Sequence, residues 1–159
     1  MKELMAKDVM TKEVLAVGAD WSLDRLADFL VENSISGAPV TSEEGRLLGV
    51  VSVTDIVRHT SLPEKEPHSH EPHEYYLHPS GGGRYRHDEI AELRIGGEST
   101  VTVRDIMTPA IFSVKEDTPL RKVADTMIRG RIHRLLVTRG DKVTGIIAAL
   151  DVLKVIRDL

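Results

Sequence analysis

The chain repeats itself, and an internal repeat constrains the architecture before any single element is assigned. Asp8-Val9-Met10-Thr11 returns as Asp105-Ile106-Met107-Thr108, a shift of about 97 positions. From there the halves stay in step: Val17 with Val114, Asp20 with Asp117, Leu23 with Leu120, Ala27 with Ala124, Ile35 with Ile132, and Val40-Thr41 with Val137-Thr138. After a one-residue deletion in a turn, Gly49 and Asp55 align with Gly145 and Asp151. The 159 residues therefore divide into a first copy (1–60), an insert (61–100) and a second copy (101–159).

Within each copy the hydrophobic period changes as a βαββα unit requires. Leu23, Leu26, Ala27 and Leu30 are spaced i, i+3, i+4, i+7, as are Leu120, Val123, Ala124 and Met127, so each copy predicts a helix with one apolar face. Asp20 or Ser22 can cap the first helix; Thr118 can cap the second, with Pro119 where a missing N–H costs nothing. Two β-branched runs follow in each copy, Gly37–Val40 and Leu47–Val53, then Arg134–Val137 and Val143–Ala149, joined by polar turns containing Gly45 and Gly140. Residues 54–60 and 150–159 predict closing helices. The expected fold class is α/β (α+β). Neither copy alone can bury both faces of so small a sheet, so the two are expected to pack together around a pseudo-two-fold axis.

Composition narrows the function. A net charge of −4 leaves no basic field to hold phosphate backbones, so nucleic acid is not an expected partner. With no cysteine, disulfides, thiolate metal sites and a cysteine nucleophile are excluded. Lys2, Glu3, Lys7 and Asp8 break any signal-peptide core in residues 1–10, and runs such as Leu47–Val53 and Gly145–Leu150 fall far short of the roughly 20 apolar residues a membrane helix needs. The expectation is a cytoplasmic protein with no membrane partner.

The element order, the opening Asp-Val/Ile-Met-Thr, the strand Gly37-Ala38-Pro39-Val40 and the run Gly49-Val50-Val51-Ser52-Val53-Thr54-Asp55 resemble the CBS domain, which occurs in tandem pairs. The resemblance covers nearly everything outside residues 61–100. It implies two CBS repeats that bind an adenosine ligand such as AMP, ADP, ATP or S-adenosylmethionine in the clefts between them. The site resembles that of the γ subunit of the AMP-activated kinase, where a Ser/Thr-x-x-Asp holds the ribose and an Ile-His-Arg-Leu of the partnering repeat reaches the phosphates. Here the first is Ser52-Val53-Thr54-Asp55 and the second Ile132-His133-Arg134-Leu135.

The chemistry agrees with that transfer. A carboxylate accepts two hydrogen bonds at once and suits a vicinal diol, so Asp55 faces the ribose, with the Ser52 hydroxyl beside it and Thr54 at a helix start that favours an anion. Arg134 offers a planar donor fork matched to phosphate, and His133 a second donor. Lys12 to Leu15, including Val14, and Ala38-Pro39 offer apolar contact and backbone edges to adenine. The copies differ: Ala148 stands where copy one has Ser52, and Ser36-Gly37 where copy two has His133-Arg134. One competent cleft is therefore expected, and a weaker second around Thr108, Ile111 and Asp151. An Asp at a helix start is also commonly just a cap, which for Asp151 is the stronger reading.

The insert carries His68, His70, His73, His78 and His87 with Glu71 and Glu74, donors suited to zinc, nickel or copper, yet prolines surround them and a mobile linker is the competing reading. No metal site is assigned. Tyr75, Tyr76, Tyr85 and the run Ile90–Ile95 are too apolar for a pure tether and predict folding over the pair or over a partner chain.

No Walker loop, Gly-x-Ser-x-Gly elbow or His-Glu-x-x-His helix occurs, and His133 beside Arg134 without a placed carboxylate is a phosphate clamp rather than a general base, so no enzyme activity is expected. The expected function is regulation: a nucleotide-bridged pair read by a separate, unidentified target protein. A nucleotide-processing enzyme and a ligand-free dimerisation module are the alternatives. A homodimer is expected, with the faces Leu23–Leu30 and Leu120–Met127 as candidate surfaces.

Overall fold

The computed structural model describes residues 2–61, 72–77, 100–109 and 111–159. The first copy runs α1 (Ala6–Val9), β1 (Val17–Gly18), α2 (Leu23–Glu32), β2 (Gly37–Thr41), β3 (Leu47–Ser52) and α3 (Val53–Ser61). A 3-10 turn, Glu74–Tyr76, lies between the copies. The second copy runs α4 (Val103–Ile106), β4 (Ser113–Lys115), α5 (Leu120–Gly130), β5 (Arg134–Arg139), β6 (Lys142–Ala148) and α6 (Ala149–Arg157).

Each copy builds a three-stranded sheet, β1-β2-β3 and β4-β5-β6. The first pair in each is parallel and the second antiparallel. A parallel pair needs a crossover, which α2 and α5 supply; an antiparallel pair needs only a tight turn. Gly45 and Gly140 close those turns at φ +85° and +63°, where a β-carbon is disfavoured. Ser22 caps α2, its hydroxyl accepting from Arg25 N–H at 3.2 Å. The expected Thr118 cap does not form, because the Thr118 hydroxyl turns back to accept from Lys115 N–H at 3.1 Å, leaving Pro119 at the cap position.

The two apolar helix faces predicted from spacing turn toward the inside of the molecule. Leu23, Leu26, Ala27 and Leu30 are buried, as are Val123 and Met127. The face of α2 is therefore consumed internally, while Leu120 and Ala124 of α5 remain half-buried. Removing each large side chain from water contributes about 1.5 to 3 kcal/mol, and that gain is realised against the copy's own sheet. Exposed apolar side chains lie elsewhere, at Ile128 of α5 and Leu150, Leu153 and Ile156 of α6.

The copies exchange their opening segments. Ala6 and Lys7 N–H donate to Thr118 and Glu116 carbonyls of the second copy at 2.8 and 3.0 Å, and Thr11 bridges to Ile146. Reciprocally, Val103 and Arg104 N–H donate to Trp21 and Ala19 carbonyls of the first copy at 3.0 and 2.9 Å, and Thr108 bridges to Val50. Val103 consequently sits in the core built by Val17, Leu26, Leu30, Val40, Val51 and Ile56. Ala6 and Val50 join the core of Val123, Leu135, Leu136, Val137 and Ile147. Each core thus contains residues of both copies. No described helix is long and apolar enough to cross a membrane.

Candidate functional site

Strand β3 passes into α3 without a loop, so the free N–H groups of the helix start are met by its own residues. Ser52 N–H donates to Asp55 Oδ2 at 2.8 Å, Asp55 N–H donates to Ser52 Oγ at 3.4 Å, and the Ser52 hydroxyl donates to the same carboxylate at 3.2 Å. This reciprocal cap fixes the carboxylate at the end of the sheet, with Asp55 only 9% exposed and Ser52 1%.

The opposite wall comes from the second copy. Arg134 opens β5, paired with Ala148, as Gly37 opens β2, paired with Ser52. The sheet registers therefore reproduce the asymmetry between the copies: a guanidinium on one side, a bare glycine on the other. His133 presents an exposed ring, while its N–H donates to the Tyr76 carbonyl at 2.7 Å and its carbonyl accepts from Ala149 N–H at 2.9 Å.

Between Asp55 and Arg134 lies the His73–Tyr76 turn of the insert. His73 Nδ1 accepts from Tyr75 N–H at 3.0 Å, which puts the proton of the neutral ring on Nε2, and Nε2 sits 2.9 Å from Asp55 Oδ2. The Thr54 hydroxyl donates to Glu74 at 2.7 Å. The Arg134 guanidinium lies 4.8 Å from the Tyr75 ring centre, in cation–π range. Tyr76 stacks edgewise on Phe112 at 5.1 Å, and its hydroxyl accepts from Phe112 N–H at 3.0 Å. Burial raises the Tyr75 phenol pKa, with Arg134 opposing, and raises that of Tyr76 as well. The Asp55 carboxylate of one copy and the Arg134 guanidinium of the other therefore contact the same turn, and this part of the insert folds over the pair.

Sequence reasoning named Tyr75 and Tyr76 as too aromatic for a tether without placing them, and it treated His73 only as a possible metal donor. Both His73 ring nitrogens are engaged by the protein, and among the described residues no group of three or more His, Asp or Glu converges to hold a metal. His68, His70, His78, His87, Glu71, Tyr85 and Ile90–Ile95 lie outside the described residues. Nothing in local spacing distinguishes His73 from its neighbours; the contact spans 18 residues of chain.

The remaining predicted residues divide. Thr54, Ser52, Asp55, His133 and Arg134 gather around the turn. Ala38 points into the first core and Pro39 is buried beside it in β2, so they leave backbone rather than side chain to a ligand. Lys12 is not brought to the crevice. It lines a hollow of about 470 Å³ with Lys7, Met10, Glu116 and Arg139. Arg139 ends the strand that Arg134 begins, about 17 Å away at strand rise. Val14 is half-buried on the connection to β1. In the second cleft Asp151 Oδ2 accepts from Ala148 N–H at 2.9 Å, with Lys154 3.4 Å from its other oxygen. Thr108 spends its backbone on Val50, and Ile111 packs against the second core. Neither the hydroxyl nor the basic pair of the first cleft has a counterpart there.

A tandem pair of three-stranded sheets with exchanged opening segments defines an internally duplicated α/β module. The family model of the CBS domain matches residues 6–61 and 103–158, and the chain belongs to that family as a tandem CBS pair. It is 24% identical over 159 residues to protein MJ1404 of Methanocaldococcus jannaschii, covering all of this chain but only 33% of that relative. Among solved structures it resembles CBSX2 in complex with AMP, at TM-score 0.64 and 23% identity over 97% of this chain and 96% of that one. It also resembles the CBS pair of MJ0100 in complex with 5′-methylthioadenosine and S-adenosyl-L-methionine, at TM-score 0.62 and 20% identity over 99% and 98%.

Proposed function

We propose that this chain is a regulatory module that binds an adenine nucleotide, AMP, ADP or ATP, in the crevice between Asp55 and Arg134, and that it performs no chemistry of its own. The observation that carries the reading is that an acceptor of one copy, Asp55, and a cation of the other, Arg134, contact the same short turn. The capped Asp55 carboxylate suits a ribose diol and the Arg134 fork suits a phosphate. The AMP complex of CBSX2 and the S-adenosyl-L-methionine complex of MJ0100 support the ligand class.

A ligand spanning both copies favours the relative orientation in which Arg134 approaches Asp55, and a separate target protein reads that orientation. A homodimer fits the apolar stripe Leu150, Leu153 and Ile156, which α6 exposes at intervals of one helical turn. The alternative of a ligand-free dimerisation module rests on the same stripe.

Titration calorimetry with AMP and ATP tests the reading. Binding is expected in the wild type, lost in Asp55→Ala and Arg134→Ala, and kept in Asp151→Ala. Loss in Asp151→Ala alone would transfer the site to the second cleft. Absence of binding at millimolar nucleotide would leave the dimerisation module.

A further inference from the structure

We propose that His73 and Glu74 form a tethered competitor for the nucleotide site, so that ligand enters by expelling them; this rests on the nucleotide reading above. The segment occupies the crevice with matching chemistry. The His73 Nε2–H meets Asp55 Oδ2 at 2.9 Å, where a ribose hydroxyl would donate. Glu74 takes the Thr54 hydroxyl at the start of α3, at 2.7 Å, the acceptor role a phosphate oxygen would fill. The Tyr75 ring lies under the Arg134 guanidinium at 4.8 Å.

Tyr75 closes the space beside His73 and Glu74. Tyr75 is 4% exposed, and its ring packs so closely on β2 that a β-carbon at Gly37 would stand 3.2 Å from Tyr75 Cδ2. Gly37 provides space for the insert's own ring, where the equivalent Arg134 of the second copy would not.

The turn is built to release at one end only. Tyr76 is fully buried, stacks on Phe112 and is bonded through its hydroxyl to Phe112 N–H and through its carbonyl to His133 N–H. It belongs to the second core. Tyr75 shares that core and stacks edgewise on Tyr76 at 5.4 Å, whereas His73 and Glu74 reach Asp55 and Thr54 through side-chain contacts that a nucleotide would replace with its own. Expulsion therefore pivots at the Tyr75–Tyr76 pair, so that occupancy of the cleft displaces His73 and Glu74 while the pair stays in the core. Affinity is reduced by the fraction of molecules in which the crevice is open.

Two measurements test this. AMP is titrated into wild type, His73→Ala and Asp55→Ala, with circular dichroism melting curves to establish that each variant folds. His73→Ala is expected to bind AMP roughly tenfold or more tightly than wild type. In the unmodified protein, residue-resolved amide exchange is followed with and without saturating AMP. The Tyr75 amide, which donates to His73 Nδ1, is expected to lose protection, and the His133 amide, which donates to the Tyr76 carbonyl, to keep it.

Equal or weaker AMP binding by His73→Ala, with Asp55-dependent binding intact and Tyr75 protection unchanged, would overturn the competitor and leave the nucleotide site standing. No AMP binding by either wild type or folded His73→Ala would overturn both.

Discussion

Gly49 of the first copy lies against the carbonyl of Thr108 in the second so closely that a β-carbon at residue 49 would stand 2.5 Å from that oxygen. Its counterpart Gly145 faces Met10, whose Sδ would be the atom nearest a β-carbon at residue 145, ahead of Cγ at 2.8 Å. The aligned glycines are the points at which each opening segment crosses the other copy's sheet. Gly49→Ala is expected to destabilise the protein by about 1 to 3 kcal/mol, since backbone must shift to relieve the overlap. Gly145→Ala should cost less, because a flexible thioether can move aside. Urea unfolding of the two variants checks the order; equal midpoints would contradict it.

The Tyr76 hydroxyl is one of the contacts that anchor the insert. Tyr76→Phe keeps the edgewise packing on Phe112 and strands the Phe112 N–H, which now donates to that hydroxyl at 3.0 Å. The expected loss is about 1 to 3 kcal/mol, the cost of an unsatisfied buried donor. A midpoint matching wild type in chemical denaturation would show that water reaches the amide.

The same two phenols set an alkaline limit. Burial raises the folded pKa values of Tyr75 and Tyr76 above the ordinary 10.0 of the unfolded chain, so the folded state holds its phenolic protons to higher pH. Their contribution is complete below about pH 10 and declines as pH rises past it, because the unfolded chain ionises first. Unfolding free energies at about pH 9 and pH 11 should fall with pH in the wild type, and less steeply in Tyr76→Phe. Identical slopes would remove the buried phenol as the cause.

Leu153 sits in the middle of the exposed stripe of α6, 56% exposed between Leu150 and Ile156. Wild type is expected to sediment as a dimer and Leu153→Glu as a monomer with an unchanged melting profile at low concentration, since a charge buried without a partner disfavours association. A monomeric wild type at micromolar concentration would sink the dimer.

The duplication, the βαββα order and the burial of Leu23, Leu26, Ala27, Leu30, Val123 and Met127 were legible because periodicity and repetition are local properties of the chain. The differences were local failures of the same logic. The hydroxyl of Thr118 accepts from the Lys115 N–H of the turn rather than from the helix start. The second strands extend through Thr41 and Arg139, past the residues where the β-branched runs thin out, because their partners continue to offer backbone pairing.

Read alone, the chain determined which residue types each copy carries: the Ser52–Asp55 cap pair in one, His133-Arg134 in the other, and Ala148 and Gly37 in the places opposite them. Only the tertiary structure decided who meets whom. Hydrogen bonding and packing between segments far apart in sequence put Val103 in the first core and Ala6 in the second, carried Lys12 to the remote end of β5, and laid His73 on Asp55. Such pairings follow from the closure of the whole chain in space, which no window of neighbouring residues encodes.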